Sequence, residues 1–97
     1  MAAFTVDLTD AEARDLRECA EHHLLGGPTS TGGLESSIPK LKGGTIELTD
    51  VEGSELTTCG YITLQMGSPG ANLASALDKV NDAMAQRIQE FLGKAPE

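Results

Sequence analysis

Three residues in the first quarter of the chain have types that carry chemistry: Cys19, His22 and His23. Cys19 and His23 are four apart, so on a helix they share a face. There a thiolate and an imidazole can ligate a metal, or act as a nucleophile with its base. A zinc site needs four ligands, and beyond this trio only Cys59 and the carboxylates remain. No flanking motif of a thiol enzyme accompanies them. The plainer reading is that Cys19 packs as a small apolar residue and His23 sits at the negative pole of a helix. The expectation is therefore no metal, no cofactor and no catalytic residue.

A second group is the loop that follows, with Gly26, Gly27, Thr29, Ser30, Thr31 and Gly32. Amides and hydroxyls in such a loop can hold an anion, and His22 and His23 lead into it. The loop lacks the Gly-Lys-Ser/Thr ending of a P-loop, and it follows a helix rather than a strand. Its composition is also that of a flexible linker.

The third group is acidic. Net charge is −8, from 15 Asp and Glu against 7 Lys and Arg. No Lys or Arg occurs between Lys42 and Lys79, a stretch that holds Glu47, Asp50, Glu52, Glu55 and Asp78. Asp10, Asp15 and Glu18 add to the charge nearer the N-terminus. Such a surface repels phosphate backbones and anionic membranes. Phe4, Tyr61 and Phe91 are the only aromatics, which leaves no stacking platform for single-stranded bases. Neither nucleic acid nor membrane is expected as a partner. A basic protein is, because an acidic face attracts one and speeds the encounter.

The elements that must position these groups follow from periodicity. A chain of 97 residues, 39% hydrophobic and 23% charged, has the size and composition of one domain spanning 1–97. No apolar run approaches the ~20 residues of a membrane span. Met1-Ala2-Ala3-Phe4 has no basic leader, and two cysteines outside any CxxC pair fit a reducing, cytoplasmic setting. Phe4, Val6 and Leu8 alternate with polar residues as in a short strand. Thr9-Asp10-Ala11-Glu12 has the form of a capping box, and a helix is expected from Asp10 to Leu25 with Ala13, Leu16, Ala20, His23 and Leu24 on its apolar face. Gly26-Gly27-Pro28 ends it. Thr45 to Thr49 alternates again, and Leu56 to Met66, rich in Thr and Ile with Gly60 inside, reads as the second arm of a β-hairpin. A long helix is expected from Asn72 to Leu92, with Leu73, Leu77, Val80, Met84, Ile88, Phe91 and Leu92 in one stripe. That stripe suits either a core or a homodimer seam.

A conflicting pattern runs through the same residues. Thr5-Val6-Asp7-Leu8-Thr9-Asp10-Ala11-Glu12 matches Thr45-Ile46-Glu47-Leu48-Thr49-Asp50-Val51-Glu52 at an offset of forty. The same offset aligns Leu16 with Leu56, Cys19 with Cys59 and Leu24 with Leu64. With one deletion Leu34, Ser36, Lys40 and Leu41 fall opposite Leu73, Ser75, Lys79 and Val80. Two pseudo-repeats, 4–43 and 44–82, would make residues 50–65 a helix and the fold mostly α.

The sequence thus reads as an α+β domain: a short N-terminal strand, a helix, a β-hairpin and a long C-terminal helix, with the pseudo-repeat as the alternative. The functional expectation is a non-enzymatic protein-binding module of the inhibitor, antitoxin or immunity kind. It would occlude a basic surface of its partner with Asp10, Asp15, Glu18, Glu47, Asp50, Glu52 and Glu55. The alternative is a small-ligand sponge or sensor that binds an anionic metabolite through His22, His23 and the Gly-rich loop at a subunit interface.

Overall fold

The structure, a computed structural model, describes residues 3–27, 32–67 and 70–94, with 88–94 as backbone only. Strand β1 (Ala3–Leu8) leads directly into helix α1 (Asp10–Leu24). A short helix α2 (Gly33–Ser37) continues as a 3₁₀ turn at Ile38–Lys40. Strand β2 (Gly44–Thr49) then leads into helix α3 (Asp50–Gln65), and helix α4 (Ala71–Lys94) follows. The class is α+β. The two strands form one antiparallel sheet, and α4 packs against β1, α1 and α3.

The sheet is half-buried, as its alternation requires. Phe4, Val6, Leu8, Ile46 and Leu48 point into the core, and Thr5, Asp7, Thr45 and Glu47 face outward. Leu16 from α1, Leu56 from α3 and Leu77 and Val80 from α4 meet them with no solvent exposure. Burial of each such side chain contributes about 1.5–3 kcal/mol. The stripe on α4 is therefore largely spent on the chain's own core: Leu73, Leu77 and Val80 are buried and Met84 packs against them. The expected seam residues Ile88, Phe91 and Leu92 have side chains outside the described residues.

Residues 56–66 are not a strand. Residues 50–65 form α3, and the partner of β2 is β1. Three features explain the difference. Thr49 and Glu52 form a complete capping box, with the Thr49 hydroxyl accepting from the Glu52 amide at 3.2 Å and the Glu52 carboxylate accepting from the Thr49 amide at 2.8 Å. The threonines, poor helix formers by intrinsic propensity, satisfy their hydroxyls on the preceding turn: Thr57 and Thr58 donate to the Ser54 carbonyl and Thr63 to that of Cys59. The glycines are there for packing. A Cβ on Gly60 would lie 2.5 Å from a methyl of Leu77, and one on Gly53 2.6 Å from the ring of Phe4. At these two points α3 approaches β1 and α4 closely because it has no side chain there. On α1, the expected apolar face holds at Ala13, Leu16 and Ala20, but His23 is exposed and Cys19 takes the buried position.

The offset of forty also relates the contacts. Val6 lies opposite Ile46 in the sheet, and the neighbouring pairs, Thr5 with Glu47 and Asp7 with Thr45, exchange when the halves are exchanged. The halves are thus related by an approximate twofold axis through the Val6–Ile46 pair. They differ chiefly in their last helix. α2 stops after five residues, where Pro39 enters a 3₁₀ turn, whereas α4 runs for 24.

The packing explanation for the glycines predicts the sign of a substitution. Ala is the better helix former by about 1 kcal/mol, but forcing a methyl into a filled core costs about 1–3 kcal/mol. Gly60→Ala is expected to lower stability by about 1 kcal/mol or more, read from the urea unfolding midpoint. Ser54→Ala on the exposed face of the same helix should stay within about 0.5 kcal/mol of the parent.

Candidate functional site

The capping boxes do more than start helices. Glu12 and Glu52 are 4% and 2% exposed, and each carboxylate reaches across to the other half of the chain. Oε1 of Glu12 accepts from the Lys79 ammonium at 2.6 Å and from the Thr9 amide at 2.8 Å, while Oε2 accepts from the Ser75 hydroxyl. Oε1 of Glu52 accepts from Lys40 at 2.8 Å and from the Thr49 amide at 2.8 Å, while Oε2 accepts from Ser36 at 2.6 Å. The two sets are related by the twofold, down to which oxygen takes the lysine and which the serine. Burial pushes both carboxyls up. The lysine, serine and backbone hydrogen bonds outweigh it, so Glu12 falls to about 2 and Glu52 also lies below the usual range.

This corrects the placement of Glu52 on a binding face. Its carboxylate is enclosed and its acceptor capacity is used within the chain. Asp50 is half-buried and paired with Arg87. Glu55 accepts from the Gly33 amide at 3.1 Å, which ties α3 to the start of α2. Of the expected acidic set, Asp10, Glu18 and Glu47 are exposed and Asp15 is partly so. Glu47 stands on the outer face of the sheet, whereas Asp15 and Glu18 lie on α1. The expected residues therefore occupy more than one surface, with Asp15 and Glu18 beside the cysteine.

That cysteine opens onto a cleft of about 460 Å³ lined by Asp15, Glu18, Cys19, His22, Thr63 and Leu73. Cys59 lies behind Cys19. Their sulfurs are 3.4 Å apart, and the Thr63 hydroxyl is 3.1 Å from Cys19 Sγ. Both cysteines are free and buried, Cys19 at 8% exposure and Cys59 at 2%. The hydrogen bond from Cys59 pulls the Cys19 thiol below its usual range against the effect of burial, with help from Thr63 and the nearby histidines. The same hydrogen bond and burial push Cys59 up. Of the two thiols, Cys19 is the one more ready to lose its proton. Thr63, the residue that completes this arrangement, carries no signal of its own in the sequence. The Cys19–Cys59 pairing does have one, in the offset of forty.

His22 and His23 are exposed, and only His22 lines the cleft. Among the described residues, no group of three or more His, Cys, Asp and Glu could hold a metal ion. Gly26 and Gly27 are exposed, Gly27 and Gly32 adopt positive φ, and Thr29, Ser30 and Thr31 lie outside the described residues. Two carboxylates share the cleft with His22, an arrangement that repels an anion.

The buried carboxylates set the acid response. A carboxyl lowered on folding stabilises the native state above its unfolded value and loses that contribution as pH falls through its folded value. For Glu12 the window runs from 4.5 down to about 2. The urea midpoint is expected to decline as pH falls through that window. Glu12→Gln should flatten the decline and destabilise the neutral protein by about 1–3 kcal/mol. Comparison with known proteins returns no matching family model, no matching curated protein and no matching solved structure.

Proposed function

We infer that the protein is a small, non-enzymatic, cytoplasmic protein-binding module of the inhibitor, antitoxin or immunity kind. Its exposed carboxylates cover a basic functional surface of the partner. The observation that carries this reading is how folding distributes charge. Five of the seven cationic side chains make contacts within the chain: Arg14 to Asp15, Arg17 to the Leu41 carbonyl, Lys40 to Glu52, Lys79 to Glu12 and Arg87 to Asp50. Asp10, Glu18, Glu21, Glu47, Asp78 and Asp82 remain exposed. Much of the cationic charge is thus matched within the chain, and the excess charge at the surface is negative. Such a surface steers a basic partner into contact and disfavours acidic ones. No helix among the described residues is long and apolar enough to cross a membrane.

The test is native mass spectrometry of the protein expressed in its own host, followed by association kinetics with the protein that accompanies it. The expected result is a basic partner at fixed stoichiometry. Its association rate should fall roughly tenfold or more as salt rises from about 0.05 M to about 0.5 M. Glu18→Lys and Glu47→Lys should each slow association, with smaller effects on dissociation. A partner bound equally well at both salt concentrations, or equally by both variants, would contradict the acidic-face mechanism.

A further inference from the structure

We propose that Cys19 and Cys59 form a dithiol site that exchanges with small, cationic or neutral disulfides and closes into an intramolecular disulfide across the twofold axis. This site is independent of the partner-binding reading, and three observations carry it. The sulfurs are already in contact at 3.4 Å, so closure needs each side chain to turn by a fraction of the separation to reach about 2.05 Å. The two cysteines differ in access: Cys19 lines the cleft and Cys59 lies behind it at 2% exposure. That order gives one attacking and one resolving sulfur. The cleft is lined by Asp15, which pairs with Arg14, and by Glu18 and His22; the two carboxylates admit a cationic or neutral reagent more readily than an anionic one.

In the first step the Cys19 thiolate attacks one sulfur of the reagent R–S–S–R. A bond forms between Cys19 Sγ and that sulfur, the reagent's S–S bond breaks, and RS⁻ leaves and takes a proton from water. In the second step Cys59 gives its proton to solvent and its sulfur attacks Cys19 Sγ. The mixed disulfide breaks and the second RS⁻ leaves and is protonated. Two electrons and two protons pass from the dithiol to the reagent, giving one protein disulfide and two RSH. The Thr63 hydroxyl lies 3.0 Å from the Cys59 carbonyl and 3.1 Å from Cys19 Sγ, so its one proton can turn from that carbonyl to the thiolate as the charge forms, which makes Thr63 a positioning residue for the first step. The bridge would join equivalent points of the two halves, and by constraining the unfolded chain it stabilises the native one.

The reduced full-length protein is treated at neutral pH with cystamine, a cationic disulfide, or with the neutral hydroxyethyl disulfide, and followed by intact mass and thermal unfolding. The expected product is a monomer lighter by two hydrogen atoms, with no persistent adduct and a Tm raised on the order of 10–20 °C. Cys59→Ala should stop at the mixed disulfide on Cys19, and Cys19→Ala should resist the reagent while native. Thr63→Val should slow the first step several-fold while the final mass is unchanged. The rate ratio of cystamine to hydroxyethyl disulfide should fall several-fold in Asp15→Asn/Glu18→Gln. A wild-type protein that keeps the adduct, links only to a second copy, or reacts only once denatured overturns the proposal, whatever the variants do. An unchanged rate ratio in the double variant overturns the assigned reagent class.

Discussion

Two buried carboxylates hold this fold together. Glu12 and Glu52 each close the first turn of their own helix and then bind a lysine and a serine from the last helical segment of the other half. A buried carboxylate is tolerable only when its lone pairs are satisfied and its charge is met. Here both conditions are met by the opposite half, so the sheet, the helix starts and the positions of α2 and α4 are mutually dependent. The approximate twofold expresses that dependence: each half supplies the cation that the other half's glutamate needs.

Much of this was legible in the chain. The alternation of Phe4, Val6 and Leu8, the capping box at Thr9 and Glu12, and the glycines after Leu25 placed β1 and α1 almost to the residue. The apolar stripe placed α4. The second half was ambiguous because local propensity and repeat pattern disagreed over 50–66. Thr57, Thr58, Ile62 and Thr63 favour a strand on intrinsic grounds, and Gly53 and Gly60 disfavour a helix. Tertiary contacts decide the matter: Phe4 and Leu77 occupy the space those glycines leave, a fact no single stretch of sequence contains.

The functional residues divide in the same way. The acidic character of the surface is compositional and readable, but which carboxylates remain outside is not. Glu52 and Glu47 look alike in the sequence, five residues apart on either side of a strand end, yet one is enclosed and the other exposed. The difference arises because Glu52 occupies the third position of a helix, where its side chain turns back toward the cap and inward. Cys19 and Cys59 were visible as equivalents, whereas their contact depends on where the twofold axis passes.

The reach of the glutamate contacts has a kinetic consequence. A chain so rich in helix would ordinarily assemble quickly from neighbouring pieces. Here Glu12 meets Ser75 and Lys79 at separations of 63 and 67 residues, and β1 must find β2 across the whole of α1 and α2. Those closures have to be made before the helices gain the partners that neutralise their buried ends. Entropy of loop closure therefore sets the pace. The molecule should fold more like a β protein of its size than like a helical bundle, with its two halves docking in one late, concerted step.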